Sequence, residues 1–373
     1  MRTRGAVVQK APGPYEVVEL ELDDELRPGE IRVRVVASGL CHTDDHFATG
    51  DIPMAVYPVA GGHEGAGVVE AVGPNTPDFD PGDHVVLSML PSCGRCRWCA
   101  SGMQNLCDLG ANMLRGSRFD DPESYRLHTL DGRPVAQMCG ISTFVEHTVV
   151  SADSAVKVPR DLPLEVLCLL GCAVGTGWGS AENSAGVRAG DTVIVIGVGG
   201  VGMNAVQGAV HAGAGAVIAV DPVEFKRDTA VAFGARHAVA TLDEAAEIAR
   251  ERTNGQGADS AIVTVGITTG DHIGAAFAAV RKAGTVVITG AGQATDVGLP
   301  IPVMELSMSQ KRLQGALYGA CNPNADIPRF TRLYQDGLLK LDELVTTTYA
   351  LDDIAKGYED MHAGRNIRGV VRF

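Results

Sequence analysis

A run of β-branched residues, Thr192-Val-Ile-Val-Ile196, leads directly into Gly197-Val-Gly199-Gly-Val-Gly202, and no other stretch restricts the fold as tightly. A five-residue strand that is apolar on both faces belongs inside a sheet covered on both sides. Met203–Ala212 then reads as helix, and Ala216-Val-Ile-Ala-Val220 as a second buried strand ending at Asp221. Strand, glycine-rich turn, helix and strand make a βαβ unit with a dinucleotide-binding fingerprint. Gly197 permits the tight turn, Gly199 lets the backbone approach a pyrophosphate, and Gly202 lets helix and strand pack closely. Gly200 and Val201 belong to the turn that leads into the helix, whose first N–H groups and dipole attract phosphate. Asp221, nineteen residues after Gly202, is placed to accept from the adenosine ribose 2′-hydroxyl. A carboxylate there repels a 2′-phosphate, so NAD is expected rather than NADP. Lys226 is within reach of the same ribose.

The alternation continues. Strands are expected at His237–Ala240, Ala261–Val265, Thr285–Thr289 and Arg312–Leu317, with helices at Leu242–Arg252 and Asp271–Lys282. That pattern predicts an α/β, doubly wound parallel sheet. Before it the chain is strand- and turn-rich. Runs such as Ile31–Val36 and His84–Leu87 are broken by Pro28-Gly29, Pro81-Gly82-Asp83 and Gly132-Arg-Pro134, which suits an antiparallel β-barrel. After about Ala320 come helices at Phe330–Asp336 and Leu351–His362 and a terminal strand at Gly369–Phe373.

Two sets of metal-binding side chains stand out. Cys93, Cys96, Cys99 and Cys107 fall within fifteen residues. Four thiolates satisfy the tetrahedral preference of zinc and leave no position open. Cys41, His63 and Cys172 are far apart in the chain. Together they offer three ligands and an open fourth position, the arrangement of a catalytic zinc. Nine cysteines in a chain this long, four of them tightly clustered, fit metal ligation in a reducing compartment better than a disulfide framework.

Net charge is −14, which argues against nucleic acid or an anionic membrane as partner. There is no apolar run of ~18 residues and no secretory signal at the start, so a cytoplasmic location is expected. With 373 residues, about two domains are expected.

The motifs occur together in one order: Cys41-His-Thr43, then Gly62-His63-Glu64-x-x-Gly67 with Gly73, then the four-thiol loop, then the glycine-rich turn. In this the chain resembles the zinc-containing medium-chain alcohol dehydrogenases over essentially its whole length. The resemblance implies a GroES-like antiparallel barrel domain at 1–173, with a structural zinc lobe at about 90–110. A Rossmann NAD-binding domain would follow at 174–317, with a return to the first domain at 318–373. It implies two zinc ions per chain and NAD. Cys41, His63 and Cys172 would hold the catalytic zinc, with Glu64 beside it and Asp44 orienting His63. Thr43 would hydrogen-bond the substrate oxygen, and His46 would pass the proton towards solvent by way of the cofactor ribose. Thr176 would approach the nicotinamide and Arg368 the pyrophosphate. His42 stands where many relatives carry arginine against the pyrophosphate, so its charge is titratable. By family position Met89, Met138 and Cys139 face the substrate pocket, and two methionines with a small thiol make an adaptable apolar cavity.

Within the family the chain is similar to the nitrosoaniline (NDMA)-dependent, actinobacterial-type alcohol dehydrogenases. The residues that carry this are Asp221-Pro-Val-Glu-Phe-Lys-Arg227, Cys107-Asp-Leu-Gly-Ala111, Tyr318-Gly-Ala-Cys-Asn-Pro323 and Asn366-Ile-Arg-Gly-Val370. The expected activity is oxidation of primary aliphatic, allylic or aromatic alcohols to aldehydes, with NAD(H) held tightly and reoxidised by a separate acceptor. One alternative is a thiol-adduct (glutathione or mycothiol) formaldehyde dehydrogenase, with Arg115 or Arg118 as anchor for the thiol's carboxylates. Another is a non-catalytic zinc- and NAD-binding protein. A homodimer or homotetramer is expected, with pairing through Arg312–Leu317.

Overall fold

In the computed structural model, which describes residues 1–373, the glycine-rich turn follows the third strand of a six-stranded parallel sheet. The order is His237–Val239, Ala216–Val220, Thr192–Ile196, Ala258–Val263, Val280–Ile288 and Arg312–Gly315. Ile194 sits opposite Ile218 on one side and Ala261 on the other. All three are fully buried, as a strand flanked by partners and covered on both faces requires. The strand order reverses at Thr192–Ile196, the switch point beside which such sheets bind nucleotides. The Leu242–Arg252 helix starts at a capping box, where Thr241 accepts from the Glu244 N–H and the Glu244 carboxylate reaches back. It buries Ala245, Ala246 and Ala249 against the sheet core with Val263 and Val286. These elements form one compact unit, Ala173–Cys321.

The other unit joins Met1–Cys172 to Asn322–Phe373. Arg2–Val8, Tyr15–Leu22, Leu127–Thr129, Pro134–Gln137 and Val59–Ala60 close into a barrel. A second, seven-stranded sheet runs Ala155–Val158, His84–Leu87, Gly65–Val72, Glu30–Gly39, Arg368–Arg372 and Val345–Ala350, with His147–Ser151 also on Glu30–Gly39. Arg368–Arg372 pairs antiparallel with Glu30–Gly39 and parallel with Val345–Ala350, so the C-terminal segment completes the sheet begun near the N-terminus.

Several boundaries differ from the sequence reading. The helix expected at Phe330–Asp336 begins at Pro323 and runs to Gln335. Proline is tolerated in the first turn because its missing N–H has no intrahelical partner there. Pro328 is absorbed inside the same helix, so neither proline marks the start the sequence suggested. Leu351–Asp353 is a 3₁₀ turn that precedes the helix Ile354–His362. The edge strand stops at Gly315. No single helix is long and apolar enough to cross a membrane, and no disulfide joins any cysteine.

Candidate metal centres and nucleotide turn

The Glu30–Gly39 strand ends at the point where the first buried donor is needed. Cys41 follows it in extended conformation, at the N-cap position of the His42–Thr49 helix, with its thiol making no capping hydrogen bond. Gly62, at φ 89°, turns the chain ahead of the Gly65–Val72 strand and sets His63 and Glu64 facing inward. Cys172 lies at the end of a 3₁₀ turn, Cys168–Gly171. These three segments converge. Cys41, His63, Glu64 and Cys172 are all buried, and their donor atoms lie within 4.8 Å of one another.

Asp44 holds the histidine from behind. Its Oδ2 is 3.0 Å from His63 Nδ1, and its Oδ1 accepts from the Gly62 N–H at 2.8 Å. The far nitrogen, His63 Nε2, is buried without a hydrogen bond. A buried, unsatisfied imidazole nitrogen among two thiols and a carboxylate fits a zinc ion, which would take its lone pair. The Cys41 thiol is held well below its ordinary value, chiefly by a hydrogen bond from Cys172, which favours the thiolate that ligation needs. Burial raises the Glu64 carboxyl to about 7 against the opposing pull of Arg368.

Arg368, expected at the pyrophosphate, also meets the thiol cluster. Its side chain is buried and its guanidinium is ion-paired to Glu64, beside Cys41 and Cys172. A guanidinium this deep needs a counter-charge, and Glu64 provides it. Burial also pushes His42 below its ordinary value, towards the uncharged ring.

The four-thiol lobe is built locally. The backbone N–H groups of Cys96 and Cys99 each point at the sulfur three residues earlier, at 3.3 and 3.5 Å, and Cys93 N–H points at Cys107 Sγ at 3.4 Å. Sulfur separations of 4.0 Å (Cys93 to Cys99) and 3.9 Å (Cys96 to Cys107) match the roughly 3.8 Å expected between ligands ~2.3 Å from a tetrahedral zinc. The N–H donors on Cys96 Sγ lower that thiol to about 6, whereas burial pushes Cys107 up to about 12.

Around the first cluster, Thr43 Oγ1 lies 3.7 Å from Cys41 Sγ. His46 is buried, with Nδ1 3.2 Å from Asp51 Oδ2, a partner that sequence spacing did not reveal. Met89 and Cys139 retain slight exposure, while Met138 is fully buried and presents no open surface. Cys139 takes φ 52°, an uncommon conformation for a residue with a Cβ, in the turn Met138–Gly140. Neither proposed thiol anchor is idle. Arg118 is buried between Glu30, at 2.9 Å, and Asp23, at 2.8 Å, and Arg115 pairs with Glu123 at 2.7 Å. Arg126 also binds Glu30, at 2.7 Å.

In the other unit, Gly197 has φ 85°, and a Cβ at Gly202 would collide with the Gly197 carbonyl oxygen. Gly199 faces open space, as backbone that cradles phosphate must. The Gly200–His211 helix starts here, with Val201 in its first turn. Asp221 is buried, and its carboxylate accepts from the N–H groups of Val198 and Val223, both at 3.0 Å. That grip ties the end of one strand to the glycine turn. Thr264, unnoticed in the sequence, donates to the Gly197 carbonyl from just past the end of the neighbouring strand Ala258–Val263. Lys226 is half-exposed on the following helix, and Thr176 is buried in the helix Ala173–Gly179.

The two folds and their donor sets define a zinc- and nucleotide-binding oxidoreductase. Residues 27–160 match the family model for the alcohol dehydrogenase GroES-like domain, and residues 200–336 match that for zinc-binding dehydrogenase. An NDMA-dependent alcohol dehydrogenase of Amycolatopsis methanolica is 49% identical over 371 residues, covering 100% of this chain and 99% of that protein. An S-(hydroxymethyl)glutathione dehydrogenase of Paracoccus denitrificans is 35% identical over 388 residues, covering 100% of both. The crystal structure of benzyl alcohol dehydrogenase from Acinetobacter calcoaceticus superposes with a TM-score of 0.91 at 30% identity, covering 100% of this chain and 99% of that one. The chain belongs to the zinc-containing medium-chain alcohol dehydrogenase family, which uses zinc and NAD(H).

Proposed function

We propose that the protein oxidises uncharged primary alcohols to aldehydes, with Cys41, His63 and Cys172 holding a catalytic zinc and the Gly197–Gly202 turn holding NAD. The observation that carries this reading is the buried convergence of those donors around an unbonded His63 Nε2. When bound, zinc supplies Lewis-acid polarisation of the alcohol oxygen, and NAD⁺ supplies the hydride acceptor.

The chain's own residues do the rest. Asp44 fixes the His63 ring so that Nε2 faces the other donors. Thr43 Oγ1, beside Cys41, orients the substrate hydroxyl and takes up its proton. His46 carries that proton onward. Glu64 pairs with Arg368, whose guanidinium offsets the buried negative charge next to the thiolates. Met89 and Cys139 border the alcohol site. Cys93, Cys96, Cys99 and Cys107 hold a structural zinc. Asp221 and Lys226 take the adenosine ribose, and Thr176 contacts the nicotinamide.

Substrate preference follows from the arginines. A glutathione or mycothiol adduct needs a cation to meet its carboxylates, and Arg118 and Arg115 are already paired. A neutral aliphatic, allylic or aromatic alcohol needs none. The likeness to an NDMA-dependent enzyme supports tightly held NAD(H) reoxidised by a separate acceptor. A cytoplasmic location suits nine cysteines kept out of disulfides. The outer side of Arg312–Gly315 is an unpaired sheet edge, and Val303, Met304 and Met308 nearby are 78%, 74% and 75% exposed. A second copy pairing there would cover both.

The test is a substrate comparison with zinc-loaded protein and a nitrosoaniline as acceptor. Benzyl alcohol or hexanol should turn over without added thiol, and denaturation of the purified protein should release NAD(H). Activity restricted to formaldehyde plus glutathione or mycothiol would overturn the substrate assignment. Absence of any alcohol oxidation in a preparation that holds both zinc ions and NAD would overturn the enzyme assignment.

A further inference from the structure

A parallel sheet covered on both faces is expected to be apolar on both, and one row of the six-stranded sheet is not. Ser260 lies opposite Thr285 in the neighbouring strand, and Thr285 lies opposite Arg312 in the edge strand. The next residues along, Ala261, Val286 and Leu313, belong to or pack against the apolar core that holds Ile194. Side chains alternate along a strand, so Ser260, Thr285 and Arg312 share the opposite face. Ser260 is 3% exposed and Thr285 4%. The Ser260 hydroxyl has no hydrogen-bond partner, which is costly for a buried polar group.

This row lines a cavity of about 370 Å³. It is level with Val193, near the start of the Thr192–Ile196 strand, whereas the Gly197–Gly202 turn follows that strand's other end. Arg188, Asp191, Asp259 and Arg281 complete the charged lining. Both aspartates are already engaged. Asp259 accepts from Arg281 Nε at 2.6 Å and from the Thr192 N–H at 2.7 Å, and Asp191 accepts from the Arg188 N–H at 2.8 Å. The guanidinium groups of Arg188 and Arg312 are exposed and form no ion pair. Three arginines against two aspartates leave one positive charge in excess, in a protein whose net charge is −14.

We propose that this cavity is an anion site, separate from the nucleotide turn, that takes a phosphate group, either free or carried by a small metabolite. Guanidinium forks and hydroxyls are the donors that phosphate oxygens accept from. Arg188 precedes the Thr192–Ile196 strand and Arg312 starts the edge strand, so in the order of the sheet Ser260 and Thr285 lie between them. Arg188 and Arg312 supply the unpaired charge, and the two hydroxyls supply neutral donors. Rotation of the Ser260 side chain brings its hydroxyl to a phosphate oxygen and gives it the partner it lacks. Arg281 stays with Asp259, which keeps that carboxylate from repelling the ligand. The site does not depend on the alcohol dehydrogenase reading.

The test is titration calorimetry on the full chain loaded with zinc and NAD, so that the glycine turn is occupied, at constant ionic strength. Inorganic phosphate should fill one saturable site per chain, with a dissociation constant on the order of 1 mM or tighter. Glycerol 3-phosphate separates the two sources: tighter binding than phosphate supports a phosphorylated metabolite, and weaker binding supports the free ion. Arg188→Gln should weaken binding about tenfold or more. Ser260→Ala should weaken it about fivefold, and without phosphate its melting transition should be unchanged or raised, because the lost hydroxyl bonds to nothing. Each variant supplies the test should the other fail to fold. Malonate, a dianion without phosphorus, should compete poorly. No saturable binding at phosphate concentrations on the order of 10 mM overturns the proposal. Binding unchanged in both variants, or malonate binding as tightly as phosphate, overturns it as well.

Discussion

The four-thiol lobe and the Cys41–His63–Cys172 cluster draw on the same kinds of donor and are assembled in opposite ways. In the lobe every candidate ligand comes from one fifteen-residue segment, and the backbone N–H groups of neighbouring residues point at the sulfurs. In the cluster the donors come from a helix cap, a pre-strand turn and a 3₁₀ terminus far apart in sequence. Its supporting groups are side chains: Asp44 on His63, and Arg368 on Glu64. A site made of one loop can hold a metal with little help from the fold. A site made by the fold can place a histidine, a carboxylate and a nearby hydroxyl at chosen positions around the metal. The first arrangement suits structure and the second suits chemistry.

Breaking the two sites should therefore have different consequences. The largest effect is expected from Cys41→Ser. Alcohol oxidation should drop on the order of a thousandfold, and metal analysis should fall from two zinc per chain to one, with the lobe still loaded. Activity close to wild type would remove Cys41 from the centre. Asp44→Asn keeps every ligand but loses the charge behind His63. A loss of about 10- to 100-fold in zinc affinity or turnover is expected, read by chelator competition and by kcat. In the lobe, Cys96→Ser should also leave one zinc per chain, but its effect should appear as a melting transition lowered by several degrees. Turnover per folded molecule should change by no more than about threefold. A collapse of kcat in a folded Cys96→Ser variant would erase the distinction between the sites. The smallest effect is expected from Ser92→Ala, which removes the hydroxyl that donates to Gln104 Oε1 at 2.9 Å beside the lobe. About 1 kcal/mol of stability should be lost, measured by denaturant titration, with activity unchanged.

The same contrast explains what the sequence disclosed. The lobe was legible because its ligand spacing is its geometry. The glycine turn was legible because a glycine pattern between strand and helix fixes the backbone, which leaves open space at Gly199 and crowding at Gly202. Partners that meet only after folding were not legible. Glu64 and Arg368 are separated by 304 positions, and nothing near either residue says that one is the other's counter-charge. Arg118 looked available until the fold placed it between Glu30 and Asp23. Thr264 reaches the glycine turn only because two strands are neighbours in the sheet. Asp51 lies close to His46 in sequence, yet its contact depends on the left-handed turn at Gly50. That glycine was the available signal, since Gly directly after a short polar helix marks a chain reversal.

The most direct measurement is anomalous diffraction at the zinc absorption edge on crystals of the purified protein. Two peaks per chain are expected, one among Cys93, Cys96, Cys99 and Cys107 and the other between Cys41, His63 and Cys172. A single peak in the lobe, with His63 Nε2 facing no metal in protein that oxidises alcohols, would contradict the assignment of the catalytic centre.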